Sequence, residues 1–108
     1  MDNEKVVVVN DLSHLIEVGY VHKNQIRSGS MRCSTKVVDC GEKAQFNGQL
    51  SYLVVCYRRH QDGPIIGRKE KSLGNLCVEN KKEPVTISQG YGCIYISQGE
   101  KCLVKLND

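Results

Sequence analysis

Six cysteines, Cys33, Cys40, Cys56, Cys77, Cys93 and Cys102, are the residues of this 108-residue chain with the widest chemical options. Their separations of 7, 16, 21, 16 and 9 residues contain no CxxC pair. Structural zinc sites take paired ligands about two to four residues apart, because one short turn must present two thiolates to a single tetrahedral ion. No metal site and no cofactor is therefore expected, and His14, His22 and His60, scattered through extended sequence, do not repair the pattern. An even cysteine count points instead to an oxidising compartment with disulfides among the six. Each bridge contributes about 2 to 4 kcal/mol, and all full pairings stay open. The alternative is reduced thiols serving as small core residues.

Nucleophilic catalysis needs a Ser, Thr or Cys beside an oriented base. The two local candidates are Ser13-His14 and Cys56 with His60. Adjacent residues of an extended chain point apart, and Cys56 sits on an apolar strand face, so both read as structural. G-x-S-x-G, H-E-x-x-H, EF-hand, G-x-G-x-x-G and G-x-x-x-x-G-K-[ST] patterns do not occur. The expectation is a protein without catalytic residues; a small hydrolase remains as an alternative, with acids such as Glu17, Asp39, Glu42, Asp62, Glu79 and Glu83 meeting only in the fold.

Charge is more informative. The chain carries 15 Lys and Arg against 12 Asp and Glu, a net +3. Arg58, Arg59, Arg68, Lys69 and Lys71 against Asp62 and Glu70 account for all of that excess. If they flank a hairpin at Asp62-Gly63, they converge on phosphate, an anionic glycan or an acidic protein surface. Nucleic acid is the weaker partner, since one Phe and no Trp leave no stacking platform. The bland alternative is a solvated hairpin whose charges discourage edge pairing. A second candidate surface for a protein partner is the turns Gln89-Gly90-Tyr91 and Gln98-Gly99-Glu100-Lys101, with Tyr91 as anchor.

The elements that must position these residues read as strands: Lys5 to Val9, Leu15 to Val21, Thr35 to Cys40, Leu50 to Arg59, Pro64 to Arg68, Pro84 to Ser88, Cys93 to Ser97 and Lys101 to Leu106. Asn47-Gly48, Asp62-Gly63 and Gly74-Asn75 are turn signals. A short helix competes only at Asp11 to Val18. The echo Ile87-Ser88-Gln89-Gly90 and Ile96-Ser97-Gln98-Gly99 predicts a three-stranded meander with each Gln-Gly closing a turn, and alternation then points Cys102 inward. Apolar residues on both faces of Leu50 to Tyr57 indicate a central strand. The expected fold is one all-β, mostly antiparallel domain over residues 1–108, a β-sandwich or flattened β-barrel with at most one short helix. At this length about 65% of the chain's surface is buried on folding, so a core needs no cross-link. No apolar run approaches the length of a membrane helix.

Met1 to Lys5 is polar and Val6 to Val9 too short for the apolar region of a signal peptide. A secreted protein would thus begin here at its mature end. Tyr91-Gly92-Cys93 matches the aromatic-x-Cys pattern of many rust and mildew effector candidates. With that tripeptide on a short, cysteine-containing, β-rich chain, the sequence resembles the secreted avirulence effectors of cereal rust fungi. The resemblance implies delivery to the host cytoplasm or nucleus, suppression of plant immunity by binding host proteins, and detection by an intracellular plant immune receptor through surface residues. It also implies a core that persists where disulfides are reduced.

Overall fold

Val, Ile, Tyr and Thr dominate the segments between Gly, Asn and Asp, and their branched or aromatic side chains pack better on a pleated surface than against a helical turn. The computed structural model describes residues 5–22, 29, 32–60, 62–78 and 83–107. Among these residues there are eight strands and no helix: β1 (Lys5–Asp11), β2 (Leu15–His22), β3 (Cys33–Val38), β4 (Lys43–Arg58), β5 (Ile65–Cys77), β6 (Val85–Gly90), β7 (Cys93–Gln98) and β8 (Lys101–Asn107). They join in a mixed sheet of order β3-β2-β4-β1-β6-β7-β8, with β5 on β4, curled into a half-barrel. All pairs are antiparallel except β1 with β6. No helix of the described residues is long and apolar enough to cross a membrane.

β4 makes the curl. Its first residues pair with β1 (Val6 with Phe46, Val8 with Ala44), and from Gly48 onward it pairs with β2 and β5. Sixteen residues laid straight would span about 50 Å. The protein's longest dimension is 41 Å, so the strand must bend. Gly48 sits at the handover with φ 145°, and a Cβ there would run into the carbonyl oxygen of Val21. Asn47-Gly48, expected as a turn, is therefore a bend inside β4, and Gly74-Asn75 likewise lies inside β5. Both strands are longer than their sequence signals because a glycine that permits a bend reads like one that ends a strand. As expected, β4 is central, and Leu50, Leu53, Val54, Val55 and Cys56 are all buried.

The concave face carries the core: Val6 and Val8, Ile16 and Val18, Val38, Phe46, Leu50, Leu53 and Val55, Leu73, and Val85, Ile87, Ile94 and Ile96. The Asp11 to Val18 stretch is not helical. Buried Asn10 accepts the Leu12 amide N–H on Oδ1 at 2.9 Å, so an Asx turn occupies the place where Asp11 or Ser13 would have capped a helix.

β6, β7 and β8 form the expected meander. The turn residues differ from the prediction in one case. Gly90 pairs with Cys93, leaving Tyr91 (φ 50°) and Gly92 (φ 76°) as a two-residue loop with the dihedral pattern of a type I′ turn. The second loop is Gly99-Glu100, with positive φ only at Gly99, as in type II′. Cys102 is exposed, correcting its inward assignment. A bulge between Ile96 and Ser97 sets Cys102 against Ser97 and Val104 against Ile96, so Leu103 is an extra residue and simple alternation fails there.

Candidate functional site

The two meander turns do not form one surface. Successive hairpins of a meander close at opposite ends of the shared strand, and the six residues of β7 hold the Tyr91 and Glu100 turns about 20 Å apart. Gln89, Glu100 and Lys101 are exposed. Gln98 is only 8% exposed, and its amide donates to the Glu83 carbonyl at 3.2 Å, a packing role rather than a tip contact. Tyr91 is the reverse case, with relative exposure of 103%. An L-residue in the left-handed region costs about 1 to 2 kcal/mol. The type I′ turn therefore holds a whole aromatic side chain in water at the expense of local strain.

The predicted basic cluster is dispersed by strand alternation. Arg68 lies on the convex face, where its Nη1 donates to Glu17 Oε1 at 3.2 Å. Lys69 and Lys71 occupy the opposite face: the Lys69 ammonium stands 5.6 Å from the Tyr57 ring centroid, and Lys71 Nζ donates to the Asn107 carbonyl at 2.6 Å. Arg58, the last residue of β4, and Arg59, just past it, line a cleft instead.

The cysteines are not paired as expected. Cys33, Cys40, Cys56, Cys93 and Cys102 are free thiols, and the Cys77 side chain, like Glu79, lies outside the described residues. The registers explain the separation. Cys93 sits opposite Asn107 and Cys102 opposite Ser97, a four-residue offset of about 13 Å, beyond the roughly 7 Å limit for bridging Cα atoms. Cys56 is flanked across the sheet by Leu15 and Arg68. Burial pushes its thiol above the ordinary range, with a smaller push from the Glu17 carboxylate; Arg68 and Arg58 pull the other way.

The cleft is where chemistry-bearing residues meet. It has a volume of about 410 Å³ and is lined by Ser13, His14, Leu15, Asp39, Cys40, Arg58, Arg59 and His60. The link before β2, the β3–β4 turn and the β4–β5 hairpin supply them. Asn10 holds the first two walls together. Its Nδ2 donates to the His14 carbonyl at 2.8 Å and the Val38 carbonyl at 3.0 Å, its N–H donates to Glu42 O, and its own carbonyl accepts from Gly41 N–H. The His14 ring rests against Tyr57 with centroids 4.7 Å apart. In the hairpin, Gly63 N–H donates to the His60 carbonyl at 2.9 Å, closing the turn the sequence predicts at Asp62-Gly63.

Ser13-His14 and Arg58-Arg59-His60 were each visible as local groups in the sequence; that they share one cleft was not. The organiser, Asn10, gives no signal at the end of a valine run. Although four lining residues are His, Asp or Cys, no three His, Cys, Asp or Glu among the described residues come together as metal ligands. No protein-family model, no curated protein and no solved structure matches the chain.

Proposed function

We propose that this chain is a non-enzymatic interaction protein, effector-like, that binds a host protein inside plant cells, thereby suppresses immunity, and is detected by an intracellular receptor through its surface. One observation carries the binding part: a tyrosine wholly in water on a two-residue turn whose backbone conformation disfavours it. A turn with no function beyond closing the chain would be better served by Asn-Gly or Gly-Gly. Tyrosine adds contact area and a hydroxyl at little rotamer entropy, which is why it recurs as an anchor in binding surfaces. Exposed Gln89 lies on the same hairpin and extends the contact. The plant setting and the secreted origin rest on the resemblance carried by Tyr91-Gly92-Cys93. The free-thiol geometry supports a core that persists in a reducing cytosol.

The test is expression of the wild type and Tyr91→Asn in leaf cells at matched abundance, reading suppression of an immune response. Suppression by the wild type that the variant loses supports the proposal. Equal suppression by both removes Tyr91 from it, and no suppression by either removes the immune function.

A further inference from the structure

We infer that the cleft between the β4–β5 hairpin and the β1–β2 link is a binding site for a small hydroxyl-bearing phosphate monoester, held by Arg58, Arg59, His14, His60 and Ser13. This site is separate from Tyr91 and differs from the basic cluster read in the sequence, of which only Arg58 and Arg59 contribute.

Donor arithmetic favours an oxyanion. Each guanidinium has N–H donors and no acceptor, each imidazole contributes an N–H, and Ser13 a hydroxyl. Among the described lining residues the carboxylate is Asp39, whose Oδ1 already accepts the Cys40 N–H at 2.7 Å. Paired arginines suit a phosphate because the planar fork meets two oxygens at once. The remaining Asp39 oxygen repels a bare anion but accepts from a hydroxyl, so a ligand carrying both groups suits the mixed lining.

The donors are also positioned in advance. Asn10 fixes the backbone at His14, and Tyr57 supports the His14 ring. The His60 ring lies over Gly63, where a Cβ would come within 3.1 Å of its Cδ2 and Nε2. Glycine at that position leaves room for the imidazole. A volume of about 410 Å³ suits a sugar-phosphate-sized molecule.

The test is a titration of the ¹⁵N-labelled chain with ribose 5-phosphate, inorganic phosphate and ribose, followed by amide shifts. Saturable shifts centred on Ser13, His14, Cys40 and Arg58 to His60 are expected, with ribose 5-phosphate binding tighter than inorganic phosphate and ribose not binding. Arg59 is exposed, so Arg59→Gln should keep the spectrum of the folded chain yet weaken binding about tenfold, the scale of one charge-assisted contact. His60→Gln should weaken it as well, while Lys101→Gln, which removes the same charge elsewhere, should not. Equal weakening by Arg59→Gln and Lys101→Gln would overturn the site in favour of diffuse charge. Absence of saturable shifts at these residues, or inorganic phosphate binding as tightly as ribose 5-phosphate, would also overturn it. Tyr91→Asn should leave these shifts unchanged, which keeps this outcome independent of the proposed protein contact.

Discussion

Replacing Asn10 tests how the cleft is built. The residue is fully buried, and its side chain makes three hydrogen bonds: to His14 O at 2.8 Å, to Val38 O at 3.0 Å, and from Leu12 N–H at 2.9 Å. Asn10→Ala removes all three and leaves those backbone groups unpaired, at least two of them away from water. At about 1 kcal/mol net for each bond plus the desolvation of the orphaned partners, the loss should be about 3 to 5 kcal/mol. For a chain of this length that lowers Tm by about 12 to 20 °C. Asn10→Asp keeps the acceptor for Leu12 N–H but turns a donor into an oxygen facing two carbonyls. Its carboxyl pKa in the folded state should therefore rise above the unfolded value of about 3.9. A raised folded pKa means stability is present below the unfolded value and lost as pH climbs through the folded one, by about 1.4 kcal/mol per unit between them. Urea unfolding at pH 4 and pH 7 gives the answer. The gap between Asn10→Asp and the wild type should widen at pH 7. An Asn10→Ala loss below about 1 kcal/mol, or a pH-independent gap for Asn10→Asp, would refute the assignment of Asn10 as the buried clamp.

Other perturbations follow from the same geometry. Intact mass should be identical with and without reduction, since Cys33, Cys40, Cys56, Cys93 and Cys102 are free thiols, and a deficit before reduction would contradict the registers. Cys56 should resist alkylation until the chain unfolds, whereas exposed Cys33, Cys40 and Cys102 react in the folded protein. Because burial raises the Cys56 thiol, its contribution to stability holds below the unfolded thiol pKa of about 8.5 and is lost as pH rises through the higher folded value. Cys56→Ala should remove that alkaline component from the urea-denaturation profile. Gly48→Ala should destabilise by about 2 to 4 kcal/mol in denaturant, because the Cβ meets Val21 O and the backbone φ is one that alanine disfavours. The exposed Glu17–Arg68 pair should matter little, with Arg68→Gln costing less than about 1 kcal/mol by the same measurement.

The sequence revealed where strands lie better than how they meet. All eight segments are found because β-branched runs between turn residues depend on local chemistry. Glycines misled at Asn47-Gly48 and Gly74-Asn75, since φ freedom serves a bend inside a strand as readily as a turn between strands. The inward assignment of Cys102 failed for a related reason: one bulged residue inverts alternation, and nothing in Lys101 to Leu106 marks it. Site residues were legible only as fragments. Arg58 and Arg59 reach the cleft, but Arg68 and Lys69 are adjacent in sequence and face opposite sides of β5. The parallel β1–β6 pair, which aligns Val8 with Val85 and Val9 with Thr86 across most of the chain, is a long-range contact that no local pattern specifies.

The proposed role of the exposed tyrosine at the β6–β7 turn is contact with a partner, not closure of the turn. Asn-Gly is the favoured type I′ pair, so Tyr91→Asn should relieve strain and raise stability by about 1 kcal/mol. The most direct measurement is therefore proximity labelling in leaf cells with the wild type and Tyr91→Asn at matched abundance, alongside their melting temperatures. The expected result is a host protein labelled by the wild type and lost by a variant that melts at the same temperature or higher. A variant that labels the same proteins to the same extent would contradict it.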